Sequence, residues 1–184
     1  DPHAMVEEYG LDQLRFFLLR EVPFGQDGNY SHDAIAGRIN SDLANDLGNL
    51  AQRSLSMVAK NLGGEVPEPG EFMAEDLAML RQAEDVVADY RAAFDALAFH
   101  RGLESVWRVI ASANRYFTAQ EPWVLRKTDP ERMATVLYVT AEVLRIVAIL
   151  VQPVMPDSMA RLLDQLGQPE GEARQFSALG TRLA

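Results

Sequence analysis

The chain has 184 residues, of which 48% are hydrophobic, and this is enough for one sizeable domain with a short appendage. It contains no cysteine, which excludes disulfides, thiolate metal sites and cysteine nucleophiles and is consistent with a reducing cytoplasm. The formal net charge of −10 argues at first sight against nucleic acid, because phosphate binding is driven by Lys and Arg.

Residues 1–30 are predicted to form a separate N-terminal piece. A short helix over 4–9 ends at Gly10, and a second helix over 11–20 ends before Pro23. The N-terminus is acidic and has no apolar segment of the kind that a signal peptide carries. It also lacks an initiator methionine, so we interpret the chain as a fragment of a longer protein.

A long helix is predicted over 31–62. Ser31 is a good N-cap, and the two glycines at 63–64 are a typical helix stop. One face repeats apolar or small residues at helical spacing: Ile39, Leu43, Leu47, Leu50, Ser54, Met57 and Val58. The opposite face is polar and carries Asp42, Asn45, Asn49, Arg53, Ser56 and Lys60.

Two further helices are predicted over 73–98 and 103–119. The inner face of the first is composed of Leu77, Leu80, Ala83, Val87, Tyr90 and Phe94. Gly102 lies near the boundary between the two helices, and Pro122 is predicted to end the second.

The last long helix is predicted to begin at Pro130, with Asp129 as its cap, and to run to about residue 151. A short helix that ends at Gly167 follows, and the tail over 168–184 is expected to lie over the bundle. Strand patterns are essentially absent. Short connections between long amphipathic helices predict an all-α fold, an antiparallel helical bundle over 31–184 with a short N-terminal helical appendage.

No membrane span is predicted, because the apolar stretch over 143–151 is interrupted by Arg145 and soon followed by Pro153.

No active site is predicted either. The run Ser31-His32-Asp33 has the residue types of a catalytic triad, but consecutive residues cannot face one another, so we interpret it as a helix cap. The acidic residues, including Asp12, Asp27 and those of the helix over 73–98, are interpreted as a solvated face. The three histidines share no metal-ligand spacing, so we expect neither a catalytic residue nor a metal site.

The negative charge is unevenly distributed. Residues 65–100 carry −7, whereas residues 101–127 carry +3. A locally basic segment removes the objection to RNA that the total charge raises.

Two groups of residues are candidates for binding an unpaired base. Asn49 and Arg53 lie one turn apart on the same predicted helix face, and together they offer the donors and the acceptor that a base edge requires. Trp123 follows Pro122 directly and precedes Arg126 and Lys127, which suits a stacking platform. The alternatives are an ordinary wet helix face and a core tryptophan that closes the bundle end. Trp107 lies in the middle of a predicted helix and is expected in the core.

Four segments resemble methionyl-tRNA synthetases, and the similarity extends over about 1–165. It is carried by the sequences at 18–27 (LLREVPFGQD), 38–53 (RINSDLANDLGNLAQR), 113–116 (ANRY) and 120–123 (QEPW). The resemblance implies that residues 1–30 belong to the stem-contact region and that residues 31–184 form the anticodon-binding domain. It further implies that Asn49 and Arg53 contact the first anticodon base, a cytosine, and that Pro122 and Trp123 form the stacking surface.

The resemblance also places Asn114 among the anticodon-binding residues, and phosphate contacts are expected at Arg115, Arg126 and Lys127. The expected partner is methionine tRNA, both initiator and elongator, and the expected location is the cytoplasm. We expect no binding to DNA or to a membrane, and the sequence gives no support for an oligomer. The parent enzyme would join methionine to tRNA with ATP and Mg²⁺, through a catalytic domain upstream of residue 1. The chain itself is expected to hold no cofactor and to be inactive. Some relatives carry acidic residues on the helix over 101–119 that help to reject wrong tRNAs, but Ala111 and Thr118 are not acidic, so no such role is assigned.

Two rival functions remain open from the sequence. One is the equivalent domain of another class I synthetase, for leucine, valine, isoleucine or cysteine. The other is a helical scaffold that binds a partner protein and no RNA.

Overall fold

The computed structural model describes residues 1–28 and 30–183, and all regular secondary structure in this part is helical. Asn29 in the predicted N-terminal piece and Ala184 at the end of the predicted bundle lie outside the described residues. The helices are α1 (Pro2–Tyr9), α2 (Leu11–Glu21), α3 (His32–Arg38), α4 (Asn49–Asn61), α5 (Ala74–Asp95), α6 (Phe99–Gln120), α7 (Pro122–Thr128), α8 (Pro130–Val151) and α9 (Pro156–Gln165). A π-helical stretch, Ile39–Gly48, joins α3 to α4, and two short 3-10 turns, Glu172–Arg174 and Phe176–Gly180, lie in the tail. The all-α prediction is confirmed.

The centre of the bundle is α8, which is packed by α4, α5, α6, α7 and α9. Its 22 residues are long and apolar enough to cross a membrane by length and composition, so the sequence argument that Arg145 and Pro153 leave no segment of this kind is wrong. The apolar window of α8 is 94% buried inside the fold, as expected for the core helix of a folded bundle. Arg145 does not interrupt the helix, because its guanidinium bonds the buried carboxylate of Glu142 at 2.8 Å.

The predicted helix over 31–62 is continuous, with Ser31 as its cap, but its middle section is π-helical. A π turn contains more residues than an α turn, so the faces of this section rotate away from those of an ideal α-helix. Asp42 was predicted on the wet face, and this is wrong. Its side chain is buried and forms ion pairs with Arg38 at 3.3 Å and Arg20 at 3.9 Å.

Three more predictions about individual positions are wrong. Leu77 was placed on the inner face of its helix but is exposed, and Met79 is buried in its stead. The helix predicted to begin at residue 103 begins at Phe99, so Gly102 lies inside α6, and a Cβ there would meet the ring of Phe94 at 2.8 Å. Asp12 was interpreted as solvated but is buried, and its carboxylate accepts a hydrogen bond from the amide of Ser158 at 2.6 Å.

The N-terminal helices are attached to the rest of the bundle through α2. Phe16 is fully buried, and its ring lies 4.5 Å from that of Trp107, between centroids. Arg15 donates to the carbonyls of Pro153 at 2.7 Å and Val154 at 2.9 Å. The boundary at residue 30 stays a prediction, but α2 contributes side chains to the core of the helices that follow. The tail is held by α8, since Tyr138 donates to the carbonyl of Leu183 at 2.7 Å.

Candidate nucleic-acid interface

Arg53 is the residue through which the predicted binding groups meet. Its guanidinium carbon lies 5.0 Å from the centroid of the Phe117 ring on α6 and 5.4 Å from that of the Trp123 ring on α7. The two ring centroids are 6.2 Å apart. A cation over aromatic faces at these distances is attracted by the ring quadrupoles. Three helices therefore place Arg53 and Trp123 together, as a shared site requires.

Asn49 lies next to this cluster along the chain. It is the first residue of α4, so Asn49 and Arg53 are both within regular α-helix and retain the predicted spacing of one turn. Asn49 is exposed and Arg53 is half-buried. Within residues 1–28 and 30–183, neither side chain has a hydrogen-bond partner or an ion-pair partner. The N–H donors of Arg53, and the amide oxygen and amide nitrogen of the Asn49 side chain, are thus available to a ligand.

Trp123 lies in the first turn of a short helix, α7, which was not among the helices predicted from the sequence. α6 ends at Gln120, Glu121 turns the chain in the left-handed region at φ 47°, and α7 begins at Pro122. Pro122 is buried, whereas Trp123 is 40% exposed. The alternative of a core tryptophan therefore does not hold for Trp123. It does hold for Trp107, which is 6% exposed and donates its indole N–H to the carbonyl of Asp42 at 3.0 Å.

Asn114 has a structural partner. Its amide nitrogen donates to the carbonyls of Asp46, in the π-helical stretch, at 3.1 Å and of Ile110 at 3.3 Å. The side chain thus ties α6 to the segment that precedes Asn49, and its donor is in use. Contact with RNA at Asn114 stays a prediction. The carboxyl of Asp46 is half-buried, and burial, followed by the nearby charge of Asp42, raises its pKa above the ordinary value.

The predicted phosphate contacts are all on the surface. Arg115 on α6 is exposed and donates to the hydroxyl of Ser112 at 3.0 Å. Arg126 and Lys127 are exposed in the last turn of α7, and neither forms an ion pair across the described part of the chain. Cations without carboxylate partners keep their full charge for an anionic ligand. Their contact with phosphate stays a prediction.

A buried polar network lies at the base of α7, and sequence reasoning missed it. Arg132 donates to Gln120 Oε1 at 2.7 Å, to Asp76 Oδ1 at 2.7 Å and also to Asp76 Oδ2. The hydroxyl of Tyr116 donates to Asp76 Oδ1 at 2.6 Å, and the amide of Met73 donates to Oδ2 at 2.9 Å. Asp76 was interpreted as solvated, yet it is 0% exposed. One signal for it was available, because an acid three residues after a helix cap accepts from the cap amide.

The hydrogen bonds determine the charge state of this network. Burial alone would raise the pKa of the Asp76 carboxyl, but the donors of Arg132, Tyr116 and Met73 outweigh burial and hold the pKa below the ordinary 3.8. The same contacts raise the pKa of Arg132, and burial with the bond to Asp76 raises the pKa of Tyr116. The pair is therefore ionised at neutral pH. No group of three or more His, Cys, Asp or Glu residues in the described ranges is arranged to hold a metal ion.

Comparison with protein families gives two matches. The model described as the anticodon binding domain of methionyl tRNA ligase matches residues 66–179, and the model described as tRNA synthetases class I (M) matches residues 1–55. The methionine–tRNA ligase of Brucella melitensis is 62% identical over 177 residues, covering 96% of this chain and 34% of that protein. The methionine–tRNA ligase of Mycobacterium tuberculosis is 58% identical over 187 residues, covering 100% of this chain and 36% of that protein.

Solved structures give the same result. The crystal structure of the apo form of Mycobacterium tuberculosis methionyl-tRNA synthetase superposes with a TM-score of 0.97 at 57% identity, covering 100% of this chain and 38% of that chain. A structure of the same Mycobacterium tuberculosis protein in complex with methionyl-adenylate gives the same TM-score of 0.97. The chain thus spans about a third of the length of the curated relatives that it matches.

Proposed function

The chain belongs to the methionyl-tRNA synthetase family, and from that premise we propose that it binds the CAU anticodon of methionine tRNA. The observation that carries the proposal is the Arg53 guanidinium. It is held by the rings of Phe117 and Trp123, it has no carboxylate partner among the described residues, and it lies one turn from the exposed Asn49. An arginine that aromatic rings orient retains its donors for a base.

Asn49 and Arg53 match the Watson–Crick edge of cytosine. That edge presents two acceptors and an exocyclic amino group. The guanidinium can donate to the acceptors, and the amide oxygen of Asn49 can accept from the amino group. Uracil presents an N–H where cytosine has its ring-nitrogen acceptor, and a carbonyl where cytosine has its amino group, so a donor of Arg53 would face a donor and the Asn49 oxygen would face an acceptor. A mismatch of this kind leaves polar groups without partners, which is the basis of discrimination.

Trp123 supplies the stacking surface. Its exposed face can take an unstacked anticodon base, while Arg53 lies over the ring from the side of α4. Arg115, Arg126 and Lys127 provide positive charge for the phosphates beside that base. Initiator and elongator methionine tRNAs share the CAU anticodon, so both would bind in the same way.

The larger protein would be a cytoplasmic methionine–tRNA ligase that uses ATP and Mg²⁺. The relative solved with methionyl-adenylate supports this reaction class for the family. The catalytic groups would belong to the part of the relatives that this chain does not match, and the chain by itself would serve RNA recognition. Family membership excludes the alternative of a class I synthetase for leucine, valine, isoleucine or cysteine.

A binding titration tests the proposal. A methionine anticodon stem-loop labelled for fluorescence anisotropy is titrated with the chain at several salt concentrations, beside a loop in which uracil replaces the first anticodon base. We expect tighter binding of the cytosine loop and a steep loss of affinity with salt, since phosphate contacts release counterions. If a folded sample binds neither loop at low salt, the proposal fails and the protein-binding scaffold becomes the better hypothesis.

A further inference from the structure

Trp123 lies on a helix that is too short to hold its own position. α7 has seven residues, and isolated helices of this length are not stable in water. Its entrance is the left-handed Glu121, a conformation that costs a non-glycine residue about 1 kcal/mol or more and persists only where surrounding contacts impose it. Something outside α7 must therefore set the direction of the Trp123 ring.

The polar network at the base of α7 is placed for this task. Gln120 is the last residue of α6, and Arg132 lies in the first turn of α8. The hydrogen bond of 2.7 Å between Arg132 and the Gln120 side chain closes a loop over 121–131, which contains Glu121, α7, Asp129 and the first two residues of α8. The residues that flank α7 on its two sides are thereby bonded to each other.

The closing bond is anchored in the core. Arg132 is also bonded to Asp76 at the start of α5, and Asp76 accepts from Tyr116 one turn before Gln120. Tyr116 is adjacent to Phe117, whose ring lies under Arg53. The same buried carboxylate therefore fixes the last turn of α6 and the first turn of α8, which are the two supports of the site.

We propose that Gln120 and Arg132 are positioning residues that hold Trp123 against Arg53 in the arrangement that reads the anticodon. The proposal rests on the function proposed above and deepens it. Without the acceptor of Gln120, only the packing of α7 on α8 and of Trp123 beside Phe117 resists movement of α7 about Glu121, so the 5.4 Å contact between Arg53 and Trp123 is held less firmly before any RNA arrives. Pre-organised groups bind more tightly because less ordering remains to be done on binding.

The variants Gln120→Met and Gln120→Glu test this. Methionine keeps the length of the side chain and removes the acceptor, whereas glutamate restores an acceptor for Arg132. Gln152→Met is the matched control, because the Gln152 side chain likewise ties a helix end to a distant segment by a hydrogen bond, here as donor to the carbonyl of Arg174 at 2.8 Å, but lies outside the candidate interface. The readouts are the melting temperature, the affinity for the cytosine stem-loop and acrylamide quenching of tryptophan fluorescence, which reports mainly on the exposed Trp123 because Trp107 is buried.

We expect the Gln120→Met chain to melt within a few degrees of the unchanged chain. Acrylamide should quench its tryptophan fluorescence more readily, and its affinity for the cytosine loop should be about tenfold lower. Gln120→Glu should restore quenching and binding, and Gln152→Met should alter neither. A Gln120→Met variant that unfolds, or one that quenches and binds as the unchanged chain does, would overturn the proposal. Should the unchanged chain bind no RNA while the quenching difference persists, the positioning role stands and the RNA function fails.

Discussion

The guanidinium carbon of Arg53 lies 5.4 Å from the centre of the Trp123 ring, and this contact joins two residues that are seventy positions apart in the chain. Contacts of a cation with an aromatic face contribute about 0.5–1 kcal/mol at exposed sites. The more important consequence is chemical. A carboxylate partner would occupy the N–H groups of Arg53, whereas a ring leaves them free to donate to a base edge.

Arg53→Gln should narrow the difference in affinity between the cytosine loop and a loop altered at the first anticodon base. The substitution removes donors to a base edge, and a good bidentate contact is worth about 1–3 kcal/mol of discrimination. Thermal stability should change little. Arg91→Gln is the control, because Arg91 also lies over an aromatic ring, that of Phe176 at 5.6 Å, outside the candidate interface. Full discrimination in Arg53→Gln would show that another residue reads the base.

Trp123→Ala should weaken binding of the anticodon loop at least tenfold, since loss of a stacking platform costs about 1–3 kcal/mol of binding. Its melting temperature should fall by only a few degrees, because the ring is 40% exposed. Trp107→Ala is the contrasting variant, and deletion of that buried ring should destabilise folding by about 3–5 kcal/mol. Calorimetry and anisotropy on the two variants separate the roles. A Trp123→Ala chain that unfolds, or that binds normally, contradicts the assignment.

The exposed cations should determine how binding depends on salt. Arg115→Gln, Arg126→Gln and Lys127→Gln should each lower the slope of log affinity against log salt by about 0.7–1, the value for one lost phosphate contact. The ratio of affinities for cytosine and uracil loops should be unchanged, because phosphate carries no sequence information. Arg161→Gln on α9, also exposed, should leave the slope as it is. A slope that is equally unaffected by all four changes would remove these cations from the interface.

Helix positions and many core residues could be predicted from the sequence, because capping residues, proline and apolar spacing act within a single helix. Ser31 and Asp129 do cap their helices, and Leu47, Leu50 and Val58 are buried as expected. The prediction failed where the helix geometry changed. The assignment of Asp42 to the polar face assumed α-helical spacing, and no residue type in 39–48 indicates a π-helix.

The candidate site was predictable only in part, for a different reason. Asn49, Arg53 and Trp123 could be singled out as free polar or aromatic groups on single elements. Their contact partner Phe117 could not, since which ring lies beneath Arg53 depends on how α4, α6 and α7 pack. The same holds for the buried carboxylate of Asp76. A charged residue is usually solvated, and the exception is set by partners far along the chain, here Tyr116 and Arg132.

The ion pair of Asp76 with Arg132 should make stability depend on pH in acid. The hydrogen bonds hold the pKa of the folded Asp76 carboxyl below its ordinary value of 3.8, so the unfolded chain takes up this proton first as pH falls. The stability that Asp76 contributes is therefore complete above pH 3.8 and is lost as pH falls through the lower folded pKa.

Asp76→Asn should destabilise the chain by about 3–5 kcal/mol at neutral pH, because it leaves the buried Arg132 without its charge partner. Urea unfolding of both chains between neutral pH and strong acid should show this difference shrinking as the carboxyl protonates. Asp89→Asn, at an exposed acid on the same helix, should show little difference at any pH. A gap between Asp76→Asn and the unchanged chain that stays constant into strong acid would mean that the carboxylate charge does not stabilise the base of α7.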